Sequence, residues 1–331
     1  MDPRLVTVLV AAAALGCAMV AGVSLGSAEP QGLAALAALW DADAAGHAIV
    51  HGLRLPRVLA GAAVGALLAI AGALLQVLLR NPLAEPYVLG LSGGAALGAL
   101  LALAASLPAI LISGSAAVGA LAATLGVFAA ARREFTRQAP AAASERLLLS
   151  GVMFAALWGA LIALVLAMAP EGRLQGMIFW LMGDLAGSGA DTPLGLITAV
   201  ALAVSTVAAL WLAPRLNLLA RGEETAALLG EHVGKLKIRT TLLAAFAAGA
   251  AVAAAGPVGF IGLVAPHLVR RITGNDQRVL LPAAAFTGAA LLVLADLVAR
   301  SVVAPQQLPV GAVTAALGAP LFLFLLWRRS T

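Results

Sequence analysis

The sequence predicts an all-α membrane protein of one domain, spanning a bilayer about ten times. Three observations predict it. The chain has 331 residues, of which 62% are hydrophobic and only 11% charged. A water-soluble domain of this length needs far more charge to wet its surface, so apolar side chains must face lipid. Apolar runs long enough to cross a membrane recur from one end to the other. The basic residues gather in alternate connections between those runs, as they do where loops face the cytoplasm.

The runs place spans near residues 5–25, 56–79, 88–105, 110–131, 147–169, 193–213, 240–256, 258–272, 279–299 and 310–327. The first, with Arg4 before it and Gly26-Ser27-Ala28 after it, imitates a secretory signal, and Ala14-Leu15-Gly16-Cys17 loosely imitates a lipoprotein cleavage box. Its length is that of a span, so it reads as an uncleaved first helix. The seventh and eighth runs are short and abut at Gly256-Pro257, which suggests a broken or partly re-entrant pair. Such backbone is tolerated only where protein or a cavity covers it. Glycines share helix faces at Gly61-x-x-x-Gly65 with Gly72, at Gly94-x-x-x-Gly98, and at Gly311 with Gly318. They allow close helix approach, either within the bundle or at a subunit interface.

With the N-terminus inside, ten spans return the C-terminus inside. Sixteen of the twenty basic residues then lie on the cytoplasmic side, and only Arg54, Arg57, Arg173 and Arg300 lie outside. The inverted topology breaks the positive-inside rule. The net charge of +5 is scattered, with no basic stripe interleaved with aromatics, so nucleic-acid binding is not indicated. Cys17 is the single cysteine, which excludes a disulfide framework and a cysteine metal cluster.

Three polar segments interrupt the pattern: outer loops at 26–53 and 171–192, and a charged cytoplasmic stretch at 214–239. Within the last, residues 217–230 read as a short helix between two spans. Glu223 and Glu224 suit its N-terminus and Gly230 its C-terminal stop. It is either a capped loop helix or a contact for a groove on a soluble partner.

That segment resembles the coupling helix of the permease family that imports iron-siderophores, haem and vitamin B12. Two further stretches resemble the same family. One runs from Arg54-Leu55-Pro56-Arg57 through Gly72 and Gln76 to Arg80-Asn81-Pro82-Leu83-Ala84-Glu85-Pro86 and Leu89-Gly90. The other runs from Gly259-Phe260-Ile261-Gly262 to Ala265-Pro266-His267, then Ala295-Asp296 with Arg300, Leu308-Pro309-Val310-Gly311 and Gly318-Ala319-Pro320.

The resemblance implies a homodimer of ten-span subunits in a bacterial inner membrane, with the path on the dimer axis. It implies two cytoplasmic ATPase subunits, which bind the ATP, and a periplasmic binding protein; this subunit itself needs no cofactor and catalyses nothing. It assigns binding-protein docking to Arg54, Arg57 and Arg300, where charge complementarity would steer encounter and fix register. The alternative is that they snorkel or pair locally, for example Arg300 with Asp296 one turn away. ATPase coupling falls to Leu219, Gly222, Glu223, Glu224, Ala227, Leu228 and Gly230. The cytoplasmic gate falls to Asn81 and Leu83 in one loop and Ser144 and Glu145 in another. Glu145 departs from the small hydroxyl residue of the vitamin B12 importer, and paired glutamates on an axis would repel.

The cargo implied is an iron chelate, either haem or a ferric siderophore, with vitamin B12 the alternative. His47 and His51, four apart, would ligate haem iron transiently or be ordinary loop histidines. Arg173, Met177, Phe179, Trp180 and Met182 would line an outer cavity suited to an anionic chelate, or act as interfacial anchors. Two motifs mislead. Gly230-Glu231-His232-Val233-Gly234-Lys235 is one residue short of a phosphate loop, with Leu236 where Ser/Thr is needed. Gly90-Leu91-Ser92-Gly93, with His267 as a base, resembles an intramembrane serine protease motif; packing is its other reading.

Overall fold

A computed structural model describes residues 3–41, 43–44, 46–136, 140–185 and 193–327. Side chains are described for these save residues 3, 88–89, 128, 130–136, 140–148, 150 and 324–327. The described residues form helices and connections only. In chain order the helices are α1 (Pro3–Ser24), α2 (Leu33–Ala37), α3 (His47–Ile49), α4 (Leu55–Leu78), α5 (Leu91–Ala104), α6 (Ala109–Thr136) and α7 (Pro140–Ala167). Then follow α8 (Glu171–Leu181), α9 (Pro193–Ala220), α10 (Glu223–Leu228), α11 (Val233–Ala255), α12 (Ile261–Thr273), α13 (Gln277–Ser301) and α14 (Val310–Trp327).

Among the described residues, six helices are long and apolar enough to cross a bilayer, and three shorter apolar helices accompany them. The six are α1, the α3–α4 rod, α6, α9, α11 and α13. The rod is continuous because a π-turn at Val50–Arg54 joins α3 to α4. Pro56 lies just past that turn and has no N–H to give to the preceding turn, which favours the irregular winding there.

The rod is the centre of the molecule. Its apolar window is 83% buried, against 22% for α1 and 33% for α6 and α9. It packs against α13, α11, α12 and α9, and α1 packs on the outside against α13. Exposed large aliphatic residues such as Leu9, Val10, Val118, Ile197 and Val207 cover the peripheral helices. Large apolar side chains on the outside, with glycines at the close inner contacts, are the pattern of helices whose solvent is lipid.

Small residues set the contacts. A Cβ on Gly72 would overlap the backbone of Gly262 at the start of α12, so α4 and α12 meet main chain to main chain. Gly65 likewise faces Gly288, Gly94 faces Gly119 and Gly318 faces Phe260. The glycine faces are therefore occupied within the chain. Gly72→Val should separate α4 from α12 at a cost of about 1–3 kcal/mol or more, the range for forced overpacking. A lowered melting temperature of the detergent-purified chain checks this.

The expected break at Gly256-Pro257 is present. α11 ends at Ala255, residues 256–260 are irregular, and α12 has only 13 residues. A second interruption fills the connection expected between the runs at 56–79 and 88–105. After α4 the chain runs through residues 79–90, with a single 3-10 turn at Pro86–Leu89, before α5 begins as a helix of only 14 residues. The two interruptions meet.

Candidate functional site

The expected site residues collect at opposite ends of the bundle. The start of α4 and the end of α13 hold the arginines. The end of α9 and the start of α11 lie beside α10.

At the first end, Arg54 is only 4% exposed. Its Nη1 donates to the carbonyls of Val23 (3.1 Å) and Pro30 (2.7 Å), and its Nη2 to that of Ala28. It thereby ties down the loop after α1 and satisfies a carbonyl of that helix's last turn, where a cation is favoured. Arg57 Nε donates to both oxygens of Asp296 (2.8 and 3.1 Å), and its Nη1 donates to Gln307 Oε1 (2.7 Å). Asp184 lies 3.9 Å from Arg57 Nη2. Arg300 Nε is 3.5 Å from Asp296 Oδ2, and its Nη2 donates to the Gly22 carbonyl.

One carboxylate, 2% exposed, thus sits between two guanidiniums and joins α4 to α13. Within this chain Arg57 and Arg300 turn inward, since a buried carboxylate must be paired to offset its lost hydration, and Arg54 turns onto main-chain carbonyls. The local Arg300–Asp296 pairing expected from their one-turn spacing is present.

The two histidines have structural duties on the same side. His47 Nδ1 donates to the Ala38 carbonyl (2.8 Å) and His51 Nε2 to the Leu39 carbonyl (3.0 Å), their rings 4.3 Å apart. They fasten the end of α2 onto the rod. On α8, Met177 is fully buried and Trp180 half-buried against the core, whereas Ile178, Phe179 and Met182 are exposed. Met177 therefore belongs to the packing face of α8 and not to a cavity lining, as helical spacing with Trp180 requires. Arg173 is exposed and donates to the Ala104 carbonyl at the end of α5.

The loop expected to form the gate follows α4. Asn81 Oδ1 accepts from Leu83 N (2.9 Å), a side-chain-closed turn that leaves Leu83 38% exposed. Ser144 and Glu145 fall in the first turns of α7, where their side chains lie outside the described residues.

Three residues with no role in the sequence reading fasten this loop to α12. Gln76, 3% exposed, donates toward the carbonyls of Ala84, Gly262 and Leu263 (3.3–3.5 Å) and accepts from Arg270 Nη1 (2.7 Å). Glu85 accepts from Phe260 N (2.7 Å), placing a carboxylate on the N-terminus of α12. Phe260 itself is held at φ 69°, a strained value for a non-glycine residue. The Tyr87 hydroxyl donates to the Val258 carbonyl (2.8 Å) and accepts from Val258 N (2.7 Å).

Irregular backbone inside a membrane bundle is tolerable only when its polar groups are paired in this way. Tyr87→Phe leaves both main-chain groups of the buried Val258 without a partner. It should cost about 1–3 kcal/mol, read as a lowered melting temperature.

The short helix expected over residues 217–230 covers only Glu223–Leu228. α9 runs on through Leu219, which is 1% exposed and part of the core, and stops at Gly222, whose φ of 126° only glycine adopts readily. Helix α10 then opens with Glu223 and Glu224 as expected. Lys237 Nζ grips Glu223 Oε1 at 2.5 Å. Ala226 is buried, and Ala227, Leu228 (89% exposed), Leu229 and Gly230 point away from the protein. Asn217 fixes the approach, donating to Asp276 Oδ1 (2.9 Å) and accepting from Gln277 N (2.7 Å). The bond from Asn217, aided by Arg4, holds the Asp276 carboxyl below the usual carboxylate range.

The arrangement is a lipid-facing bundle with a short exposed helix at one end and interrupted helices in the middle, which is a transporter's layout. The FecCD transport family matches residues 14–328. The chain belongs to this FecCD family. It is 40% identical to the hemin transport system permease protein HmuU of Yersinia pestis over 318 residues, covering 93% of this chain and 92% of that one. It is 41% identical to the vitamin B12 import system permease protein BtuC of Vibrio cholerae over 288 residues, covering 85% and 83%. A solved structure described as an inward-facing metal-chelate type ABC transporter superposes with a TM-score of 0.84 at 29% identity, covering 98% and 99%.

A FecCD chain is a permease of ABC importers, so its function is transport and not proteolysis. In this FecCD chain the Gly90–Gly93 motif starts a helix. Gly90 takes the left-handed conformation before α5, and Gly93 packs on Trp158, where a Cβ would stand 2.5 Å from the Trp158 Cβ. His267 is buried on α12, edge-on to Phe322 at 6.2 Å.

Proposed function

We propose that the chain is the membrane-spanning subunit of an importer that carries an iron chelate, haem or a ferric siderophore, from periplasm to cytoplasm. It works as a homodimer with two ATPase subunits and a periplasmic binding protein. The observation that carries the reading is α10: a helix begun by two glutamates, anchored by Lys237 and presenting Leu228 outward between two spanning helices. Such a knob serves a soluble partner that pushes on α9 and α11.

The whole chain acts as one domain with ten crossings, counting α5 and α12 as half-length elements alongside α1, α4, α6, α7, α9, α11, α13 and α14. Both termini lie in the cytoplasm of a bacterial inner membrane, which the distribution of basic residues supports. The path lies on the dimer axis, with the outer end at α8 (Arg173, Phe179, Met182) and the inner end at Asn81, Leu83, Ser144 and Glu145. Arg54, Arg57 and Arg300 serve docking by fixing the shape of the outer rim through Asp296 and the α1 carbonyls. ATP is bound by the ATPase partner. Docking and ATP-driven closure shift the population between outward- and inward-open states.

The same machine carrying cobalamin is a second reading, favoured by the 41% identity to a vitamin B12 permease. Uptake of haem, a ferric siderophore and cobalamin, measured in parallel in vesicles bearing the complete importer, separates the two. ATP-dependent accumulation of an iron chelate supports the first. Accumulation of cobalamin alone replaces it with the second, and accumulation of none overturns both.

A further inference from the structure

Helices α6 and α9 both pack on α11 but hardly touch one another. The space between them is a cleft of about 590 Å³, which falls within the range of ligand sites. Its walls are apolar and include Leu121, Ile197, Ala201, Leu242, Phe246 and Gly249. The two hydroxyls it contains, on Thr124 and Thr198, each donate to a carbonyl of their own helix at 2.8 Å. No polar group is therefore offered to the occupant by those side chains, and a hydrocarbon chain fits where a polar cargo would not.

One turn beyond Leu242, on the same face of α11, stands Arg239, exposed. Across from it on α9, Trp211 is 59% exposed. The Arg215 guanidinium lies 4.6 Å from the Trp211 ring centre and that of Arg239 5.9 Å away. Past Leu242, the cleft's last lining residue in that direction on α11, the surface continues to an aromatic ring flanked by two cations. Tryptophan and arginine together mark headgroup level at a membrane surface. From Arg239 an acyl chain reaching the bilayer midplane extends about 15 Å, the length of ten helical residues, and ends beside Gly249.

We propose that this cleft binds one anionic phospholipid, its phosphate between Arg215 and Arg239 and one acyl chain between α6, α9 and α11. The site requires only that these helices cross a bilayer; its assignment to the cytoplasmic leaflet rests on the orientation given under Proposed function. It also touches the coupling segment. Arg215 Nε lies 3.8 Å from Glu231 Oε2, just after α10, so phosphate and Glu231 draw on the same guanidinium. Lipid charge therefore bears on how firmly α10 is held.

Native mass spectrometry of the full chain, purified in detergent, tests this with phosphatidylglycerol and phosphatidylcholine of identical acyl chains. Phosphatidylglycerol should be retained about tenfold better or more, since each basic group near a membrane surface contributes several-fold. Arg215→Gln with Arg239→Gln should reduce its retention to the phosphatidylcholine level. Ala245 also lines the cleft, so Ala245→Phe should lower retention of both lipids while leaving the arginines in place.

Equal retention of the two lipids, or no change in the double variant, overturns the proposal. Displacement by millimolar inorganic phosphate also overturns it, because the site would then take a free anion. So does copy-to-copy disulfide formation by Ile197→Cys, which would make the cleft a contact between two chains. None of these readings depends on cargo uptake, so their failure is distinct from failure of the transport function.

Discussion

Asp296→Ala should destabilise the protein by about 3–5 kcal/mol, the cost of leaving buried charge without its partner. The carboxylate is 2% exposed and receives Arg57 Nε at 2.8 Å and Arg300 Nε at 3.5 Å. Without it, two guanidiniums that are 11% and 8% exposed face each other in the same volume. Asp184, 40% exposed and 3.9 Å from Arg57, is too far out to replace it. In a chain of this size the loss corresponds to a fall in melting temperature on the order of 10 °C, measured on the detergent-purified protein.

A triple variant, Arg57→Met with Asp296→Leu and Arg300→Met, should regain most of that loss. Apolar groups of similar volume replace buried ion clusters at little cost. Unchanged melting of Asp296→Ala would mean that the carboxylate does not hold the arginines. The triple variant also isolates docking: it keeps the fold while removing the charges, so its affinity for the binding protein reports whether the charges themselves matter.

The arginine cluster also marks where sequence reasoning stops. The i,i+4 pairing of Asp296 with Arg300 is visible in the sequence, and its helical spacing alone brings the two together. The stronger partner, Arg57, is 239 residues away, and no periodicity announces that contact. Hence the three arginines could be placed at one end of the bundle by topology while their direction could not. The six long apolar helices were legible because lipid demands unbroken apolar runs, and the break at Gly256-Pro257 because both flanking runs were short. The interruption at residues 79–90 was legible as the gap between two runs, but its docking on residues 256–260 was hidden. Its supports, Glu85 to Phe260 and Tyr87 to Val258, act across 175 and 171 residues. One local signal was present: Gln76 is an amide in an otherwise apolar span, and a buried amide implies partners that must be found elsewhere. The start of α10 was legible from its glutamates. Its late onset was not, because α9 continues through Leu219 into the core and Asn217 is tied to Asp276 across 59 residues.

Leu228→Asp should abolish coupling while leaving the fold intact. Leu228 is 89% exposed, so its replacement removes no packing and should shift stability by no more than about 0.5 kcal/mol. Against a partner's groove the same change buries a carboxylate where an apolar knob belongs. Central apolar anchors of interfaces cost about 2 kcal/mol or more when lost, which weakens association more than tenfold. The contrast with Ala226 is informative: it lies on the same helix but is fully buried, so Ala226→Asp should lower the melting temperature as well as coupling. Glu223→Ala sits between the two, since it releases Lys237 on α11 and loosens the helix without altering its outward face. The measurements are ATPase association, cargo-stimulated ATP hydrolysis and uptake in the assembled importer, each beside a melting curve. Normal hydrolysis and uptake with Leu228→Asp would remove α10 from the coupling path and with it the observation on which the transport mechanism rests.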